Sequence, residues 1–442
     1  MTTTRPFAPA QDSTSESESR PSFAFPTQQP TTTNDEKPST TSATSATSAI
    51  TNDHIPHSTT SLPSHTLNNP PRNNAPELQA VMRQAGVAVL CVSGSFAGRC
   101  SGIEKTAMGT NCTNAQYCHI PWPDVGTWKG NEGETGRGIM PSEQFQGLLQ
   151  VLEAGRAAQT ADRTLEEWRE MVDQFLGIVP AVEGVDTQPA TVGGVPCEWS
   201  RVSGTTPTRT IFYLHGGGYC IGSVAGYRSP MSHLAATAEA AVLSVDYRLA
   251  PEHPYPSALD DAVAAYKGLL DGGTDPATIV IGGDSAGGGL TVVTLLTLRD
   301  AGIPLPAAAV CISPWTDLGM SGTSMTQKAE ADPLLTFADL AMFAGHYLSG
   351  TEATATTPMV TPIAGDLTGL PPLLVFVGTA EILLSDATRL AEAAGQANVR
   401  TTLEIADGMM HIWPLFAPLF PEASDALKQI GTFVKEQTGN IS

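Results

Sequence analysis

Gly283-Asp284-Ser285-Ala286-Gly287 decides the reading of this chain, because of what lies on either side of it. Ahead of it stands Thr278-Ile279-Val280-Ile281, apolar and β-branched. Behind it runs Gly288-Gly289-Leu290-Thr291-Val292-Val293-Thr294-Leu295-Leu296, continuing to Asp300 without a proline. A buried strand, a sharp turn and a helix put the Ser285 hydroxyl at the apex of the turn. That turn is strained for any residue with a side chain, and backbones crowd around it, so Gly283 and Gly287 are required there. The helix that opens at Ala286 also directs its free N–H groups at the same point.

Working outward, short apolar strands alternate with longer helical runs. Strands are expected over 210–214, 241–245, 278–281, 307–312, 373–377 and 401–405. Helices are expected near 226–240, 256–270, 286–301, 386–397 and 422–437. Two more helices precede them, from Ser142 to Ala157 and from Thr164, a capping residue followed by acidic side chains, to Leu176. The alternation predicts an α/β fold with a mostly parallel central sheet and helices on both faces. In such sheets the ligand site forms at the C-terminal strand ends.

Those ends carry the rest of a nucleophilic site. His215-Gly216-Gly217-Gly218-Tyr219 follows the 210–214 strand, and its glycines let backbone N–H groups face one point. With Ala286, just after the nucleophile, Gly216, Gly217 and Gly218 are the candidate oxyanion donors. Of the nine histidines, His54, His57 and His65 fall in the N-terminal tail and His119 in an unassigned stretch. His215 opens the donor loop, His233 and His346 sit in expected helices, and His253 lies in a proline-rich loop. His411, in Asp407-Gly408-Met409-Met410-His411, follows the last strand by a short loop and is the candidate base. For the acid, the segment after the 373–377 strand offers Glu381 and Asp386. Glu381 stands nearer the strand end and is the expected partner of His411. Asp386 is read as opening the next helix, where a carboxylate complements the dipole.

Taken together these stretches resemble the hormone-sensitive-lipase-like group of esterases, which have the α/β-hydrolase fold. His215–Tyr219 matches the group's HGGGY signature and Gly283–Gly287 its GDSAG elbow. Asp246-Tyr247-Arg248-Leu249-Ala250-Pro251-Glu252-His253-Pro254 matches its DYRLAPEHP segment. Ser313-Pro314-Trp315 and Gly408-Met409-Met410-His411-Ile412-Trp413 fit as well. The likeness spans about residues 142 to 438. Many members carry Asp-Pro-Leu at the acid position, where this chain has Glu381-Ile382-Leu383. The resemblance implies a serine esterase acting through an acyl-enzyme on short- to medium-chain esters of small molecules, acetyl esters foremost. It also implies a helical cap from about 142–190 and 316–365, with Phe343, Trp315 and Met410 shaping the pocket. A dehydratase or lactonase on the same scaffold is the alternative, and a non-catalytic receptor a more distant one. The 246–256 motif reads as structural, with Asp246, Arg248 and Glu252 charge-paired beneath the elbow, and Asp284 as a hydrogen-bonding support.

Bulk properties bound the rest. The 442 residues carry a net charge of −21, which argues against nucleic acid as a partner. No stretch approaches the roughly 18 consecutive apolar residues of a membrane span, and the N-terminus lacks the order of a secretory signal. A cytoplasmic protein is expected, a homodimer being among its possible assemblies. Residues 1–76 are rich in Ser, Thr and Pro and are expected to be disordered. Residues 77–140 hold Cys91, Cys100, Cys112 and Cys118 and are assigned to no fold; 141–442 form the catalytic domain. The four cysteines show neither a CxxC pair nor the usual zinc spacing and are left unassigned, and ester hydrolysis through an acyl-enzyme needs no metal or organic cofactor, so none is expected.

Overall fold

The computed structural model describes residues 141–157 and 163–439. The tail at 1–76, the stretch 77–140 and its four cysteines lie outside them. Two helices lead, α1 (Glu143–Ala157) and α2 (Leu165–Leu176), followed by an antiparallel hairpin of β1 (Val185–Val192) and β2 (Val195–Val202). Thr164 caps α2 in a reciprocal box with Glu167, as its position in the sequence indicates. Strand–helix alternation then begins with β3 (Thr210–Leu214), α3 (Val224–Ala238), β4 (Ala241–Val245) and α4 (Ser257–Asp271). It continues through β5 (Ile279–Asp284), α5 (Ala286–Asp300) and β6 (Ala308–Ile312). An insertion follows, carrying α6 (Ser324–Gln327) and α7 (Phe337–Tyr347), before β7 (Leu373–Gly378), α8 (Leu384–Gln396), β8 (Thr401–Ala406) and α9 (Pro421–Gln437).

The eight strands form one sheet in the order β1-β2-β4-β3-β5-β6-β7-β8. Strands β3 to β8 are mutually parallel, while β2 pairs antiparallel with both β1 and β4. The sequence pattern does not mark this hairpin. It turns through Gly193 and Gly194, both at positive φ (59° and 82°), which is the backbone a two-residue hairpin demands. Within the range 142–190 assigned to a cap, residues 185–190 lie in this edge strand.

Successive side chains of the central strands point to opposite faces and build two cores. Phe212, Leu214, Ile281 and Val375 pack with Tyr266 of α4, Leu290 of α5 and Leu390 of α8. Ile211, Tyr213, Val280 and Phe376 pack with Phe145 of α1, Met231 of α3 and Ile430 of α9. Each such side chain, fully buried, contributes about 1.5–3 kcal/mol. The parallel register sets Leu214 beside Gly283 and Asp284 beside Ile312, so the loops after β3, β5 and β6 emerge side by side.

Candidate active site

Ser285 links β5 to α5 with φ 53° and ψ −122°, a backbone conformation that side chains disfavour by about 1–3 kcal/mol. The surroundings hold it there. Its N–H donates to the Ile312 carbonyl (2.9 Å), and its own carbonyl accepts from Trp315 N–H (2.8 Å) and Gly289 N–H (3.2 Å). A side chain at Gly287 would collide with the carbonyls of Leu214 and His215, which explains the small residue at that point of the elbow.

The loop after β3 places Gly217 and Gly218 at φ 109° and 60°. Among the described residues neither of their N–H groups, nor that of Ala286, has an acceptor. Gly216 departs from expectation. Its N–H donates to Asp284 Oδ1 and to Tyr227 Oη, both at 3.0 Å, and is therefore committed to the scaffold. Asp284 also accepts from the hydroxyls of Tyr213 (2.9 Å) and Tyr227 (2.8 Å). Burial pushes its pKa up to about 6 against the pull of these donors. His215 lies on the other side of the loop, lowered by burial to about 4 and hence neutral, its Nδ1–H donating to the Gly216 carbonyl (2.7 Å). Tyr247 stacks on that ring at 4.3 Å and donates to the His215 carbonyl (2.7 Å).

Tyr247 is thus how the 246–256 motif supports the site. The charge-paired turn expected there does not form. Arg248 is bidentate to Asp261, Glu252 is bidentate to Arg169 of α2, and Asp246 is exposed. Arg169 further donates to the carbonyls of Cys220 (2.9 Å) and Ala250 (3.2 Å), fastening α2 over the glycine loop.

The loops after β7 and β8 bring Glu381 and His411 together, with Nδ1 of the imidazole 2.9 Å from Glu381 Oε2 and both side chains buried. Glu381 Oε1 accepts from the Gly378 N–H (2.6 Å) and the Ser313 hydroxyl (2.9 Å). Ser313 in turn accepts from Ile412 N–H (3.0 Å), tying Glu381 to the histidine loop. Burial lowers the His411 pKa, but the Glu381 hydrogen bond and charge, with Asp332 and Asp284 beyond, outweigh it and leave it raised.

Asp386 stands elsewhere. It lies in the first turn of α8, as the sequence suggests, but its carboxylate does not serve that helix. Oδ1 accepts from the N–H groups of Thr316 (3.0 Å) and Asp317 (2.8 Å), and Oδ2 is buried without a partner. Burial raises its pKa to about 7.

Ser285, His411, Gly217 and Gly218 border a cavity of about 320 Å³. Its walls are largely apolar, drawn from α1 (Val151), α2 (Trp168, Phe175), the insertion (Leu335, Phe343) and the histidine loop (Ile412). Phe343 takes the place expected of it. Trp315 and Met410 do not: both are wholly buried and neither borders the cavity. Among the described residues no group of three or more His, Cys, Asp or Glu could hold a metal ion, and no helix is long and apolar enough to cross a membrane. Sequence reasoning assigned no role to Ser313, which appears only within a motif, nor to Asp332 and the tyrosines around Asp284. Only Ser313 carried a local signal, as a polar residue directly after a buried strand.

Residues 211–415 match the family model of the alpha/beta hydrolase fold. An acetyl-hydrolase of Streptomyces hygroscopicus is 47% identical over 249 residues, which cover 56% of this chain and 82% of the relative. An esterase of Acinetobacter venetianus is 37% identical over 265 residues, covering 60% and 87%. Among solved structures, an esterase from the bacterial hormone-sensitive lipase family superposes with a TM-score of 0.65 at 43% identity, over 68% of this chain and 100% of that one. With the strand order and the elbow, these likenesses make the chain a member of the hormone-sensitive-lipase-like family of α/β hydrolases.

Proposed function

We propose that this protein is a serine carboxylic ester hydrolase in which Ser285 is the nucleophile, His411 the base and Glu381 the acid that orients it. The observation that carries the reading is the buried Glu381–His411 pair, whose imidazole borders the same cavity as a serine held at φ 53°. The candidate oxyanion donors narrow to Gly217, Gly218 and Ala286, because the Gly216 N–H serves Asp284. Each such donor is worth about 3 kcal/mol in the transition state.

A carboxylate accepts only, so Glu381 fixes the His411 proton on Nδ1 and leaves Nε2 as the acceptor. Ser285 gives its proton to Nε2 as its oxygen bonds to the ester carbonyl carbon. The negative charge on the carbonyl oxygen falls to the three N–H donors, and the imidazolium charge to Glu381 Oε2 at 2.9 Å. Collapse expels the alcohol, which takes the proton from Nε2, and leaves the acyl group on Ser285. Water then gives a proton to Nε2 and attacks the acyl carbon, and the carboxylic acid leaves as Ser285 regains its hydrogen.

The cavity supports a reading of the substrate class. Its volume of about 320 Å³ and apolar walls suit short to medium acyl chains. Each buried methylene adds about 0.8 kcal/mol of binding until the wall is met. Acetyl esters are the leading candidates, in keeping with the named acetyl-hydrolase relative. The dehydratase, lactonase and receptor alternatives are not favoured, since the relatives named above are hydrolases and esterases. The test is release of p-nitrophenol from acetyl, butyryl and octanoyl esters. Turnover is expected for the shorter chains and only background for Ser285→Ala. Unchanged turnover in Ser285→Ala would exclude the mechanism.

A further inference from the structure

The loop that carries Glu381 is gripped from outside the sheet. Asp332 lies in the insertion between α6 and α7 and is completely buried. Its Oδ2 accepts the N–H of Ile382, the residue after the acid, at 2.8 Å. Its Oδ1 accepts the N–H groups of Leu334 (2.9 Å) and Leu335 (3.0 Å), closing a tight turn. Ser324 of α6 takes the other end of the same residue, donating its hydroxyl to the Ile382 carbonyl at 2.5 Å. Two insertion side chains therefore fix both peptide planes that flank Ile382.

Glu381 has three fixings of its own, and two of them, Gly378 N–H and the Ser313 hydroxyl, meet on Oε1. Those set where one carboxylate oxygen lies. Where Oε2 then points depends on the backbone torsions of Glu381, and the peptide plane that follows it is what Asp332 holds. Pro333, Leu334 and Leu335 border the cavity, so the turn that Asp332 closes is also substrate wall. One carboxylate thus joins the wall to the acid loop, and its charge adds to that of Glu381 in stabilising a protonated His411.

We propose that Asp332 is a positioning residue for the reaction, holding Glu381 in register with His411 through the Ile382 N–H while it anchors the cavity wall. The inference rests on the assignment of Glu381 as the acid. It requires the effect of Asp332 on kcat at the pH plateau to pass through Glu381, its charge on His411 moving only the acid limb of the pH profile.

The experiment is a double-mutant cycle of Asp332→Asn and Glu381→Gln, read as kcat and KM on p-nitrophenyl butyrate. Asn keeps an oxygen for the Leu334 and Leu335 N–H groups but presents an amide N–H to Ile382, so the grip on the acid loop is lost. The charge lost with it shifts only the acid limb, so kcat is read on the pH plateau. Expected is a fall in kcat of about tenfold with KM within about twofold, the size of one lost charge-assisted hydrogen bond. In the Glu381→Gln background the same change is expected to cost less than about twofold, because residues acting through one another are not additive. Full multiplication of the two effects, a change confined to KM, or wild-type kcat in Asp332→Asn would overturn the proposal. If instead Glu381→Gln alone retains near-wild-type kcat, the acid assignment fails first and the proposal with it. Should Asp332→Asn not fold, Asp332→Ser, which retains a short acceptor for the turn but does not reach Ile382, is read by the same criteria.

Discussion

Replacing Glu381 by Gln changes one oxygen to an amide nitrogen, and the neighbouring donors decide which one. The Gly378 N–H is a backbone group 2.6 Å from Oε1 and cannot turn away. The amide oxygen must therefore stay on that side, leaving the NH₂ facing His411 Nδ1. A donor there drives the imidazole proton to Nε2, the wrong tautomer for accepting from Ser285, and the imidazolium loses its counter-charge. Loss of tautomer and charge together is worth about 10³–10⁴-fold in kcat, or about 4–5.5 kcal/mol of barrier. The pH profile changes too. His411 must be neutral to act, so activity rises with pH through its pKa, which Glu381 holds above the usual value. Without that carboxylate the lowering by burial prevails, and the acid limb moves to lower pH. The assay is kcat for p-nitrophenyl butyrate across pH, with Asp386→Asn measured beside it. A fall of less than about tenfold for Glu381→Gln, or a larger fall for Asp386→Asn, would show that Glu381 does not orient His411.

Asp386→Asn is expected to alter stability instead. Burial raises the Asp386 pKa from 3.8 to about 7, so between those values the unfolded chain ionises while the folded one keeps its proton. Stability falls as pH rises through that window and levels off above it, at a cost on the order of a few kcal/mol. Asn lacks this titration, so melting temperature plotted against pH should slope less for the variant; an equal or steeper slope would count against the assignment. Gly218→Ala puts a Cβ at φ 60° and 2.6 Å from the Phe343 ring, so it should lower kcat/KM about tenfold or more, and wild-type activity would show that the loop is not held as described. Arg169→Ala frees α2 from the glycine loop and from Glu252, so KM should rise more than kcat falls, because Trp168, Met171 and Phe175 border the cavity. An unchanged KM would mean that α2 needs no such fastening.

The central strands were legible because β3, β4, β5, β6 and β7 are buried throughout and read as short, mostly apolar runs. A candidate nucleophile, base and acid could be read from strand ends because parallel strands deliver their loops to one edge. The β1–β2 hairpin was hidden by its edge position. Its outer strand is largely exposed, and Pro189 and Pro196 interrupt the pattern that marks an interior strand. What joins distant segments left no local trace. Gly216 looks like its neighbours in sequence, yet Asp284, in contact only through the β3–β5 pairing, takes its N–H. Asp332 lies 50 positions from the peptide it holds. Trp315 and Met410 were placed by motif, but their side chains turn into the core.

The most direct measurement is to quench the enzyme with acid during turnover of p-nitrophenyl acetate and locate the acetyl group by peptide mass spectrometry. Acetylation of Ser285, absent from Ser285→Ala, is the expected result. Acetyl carried on another residue, or turnover with no acylated Ser285 at any time, would contradict an acyl-enzyme built on this serine.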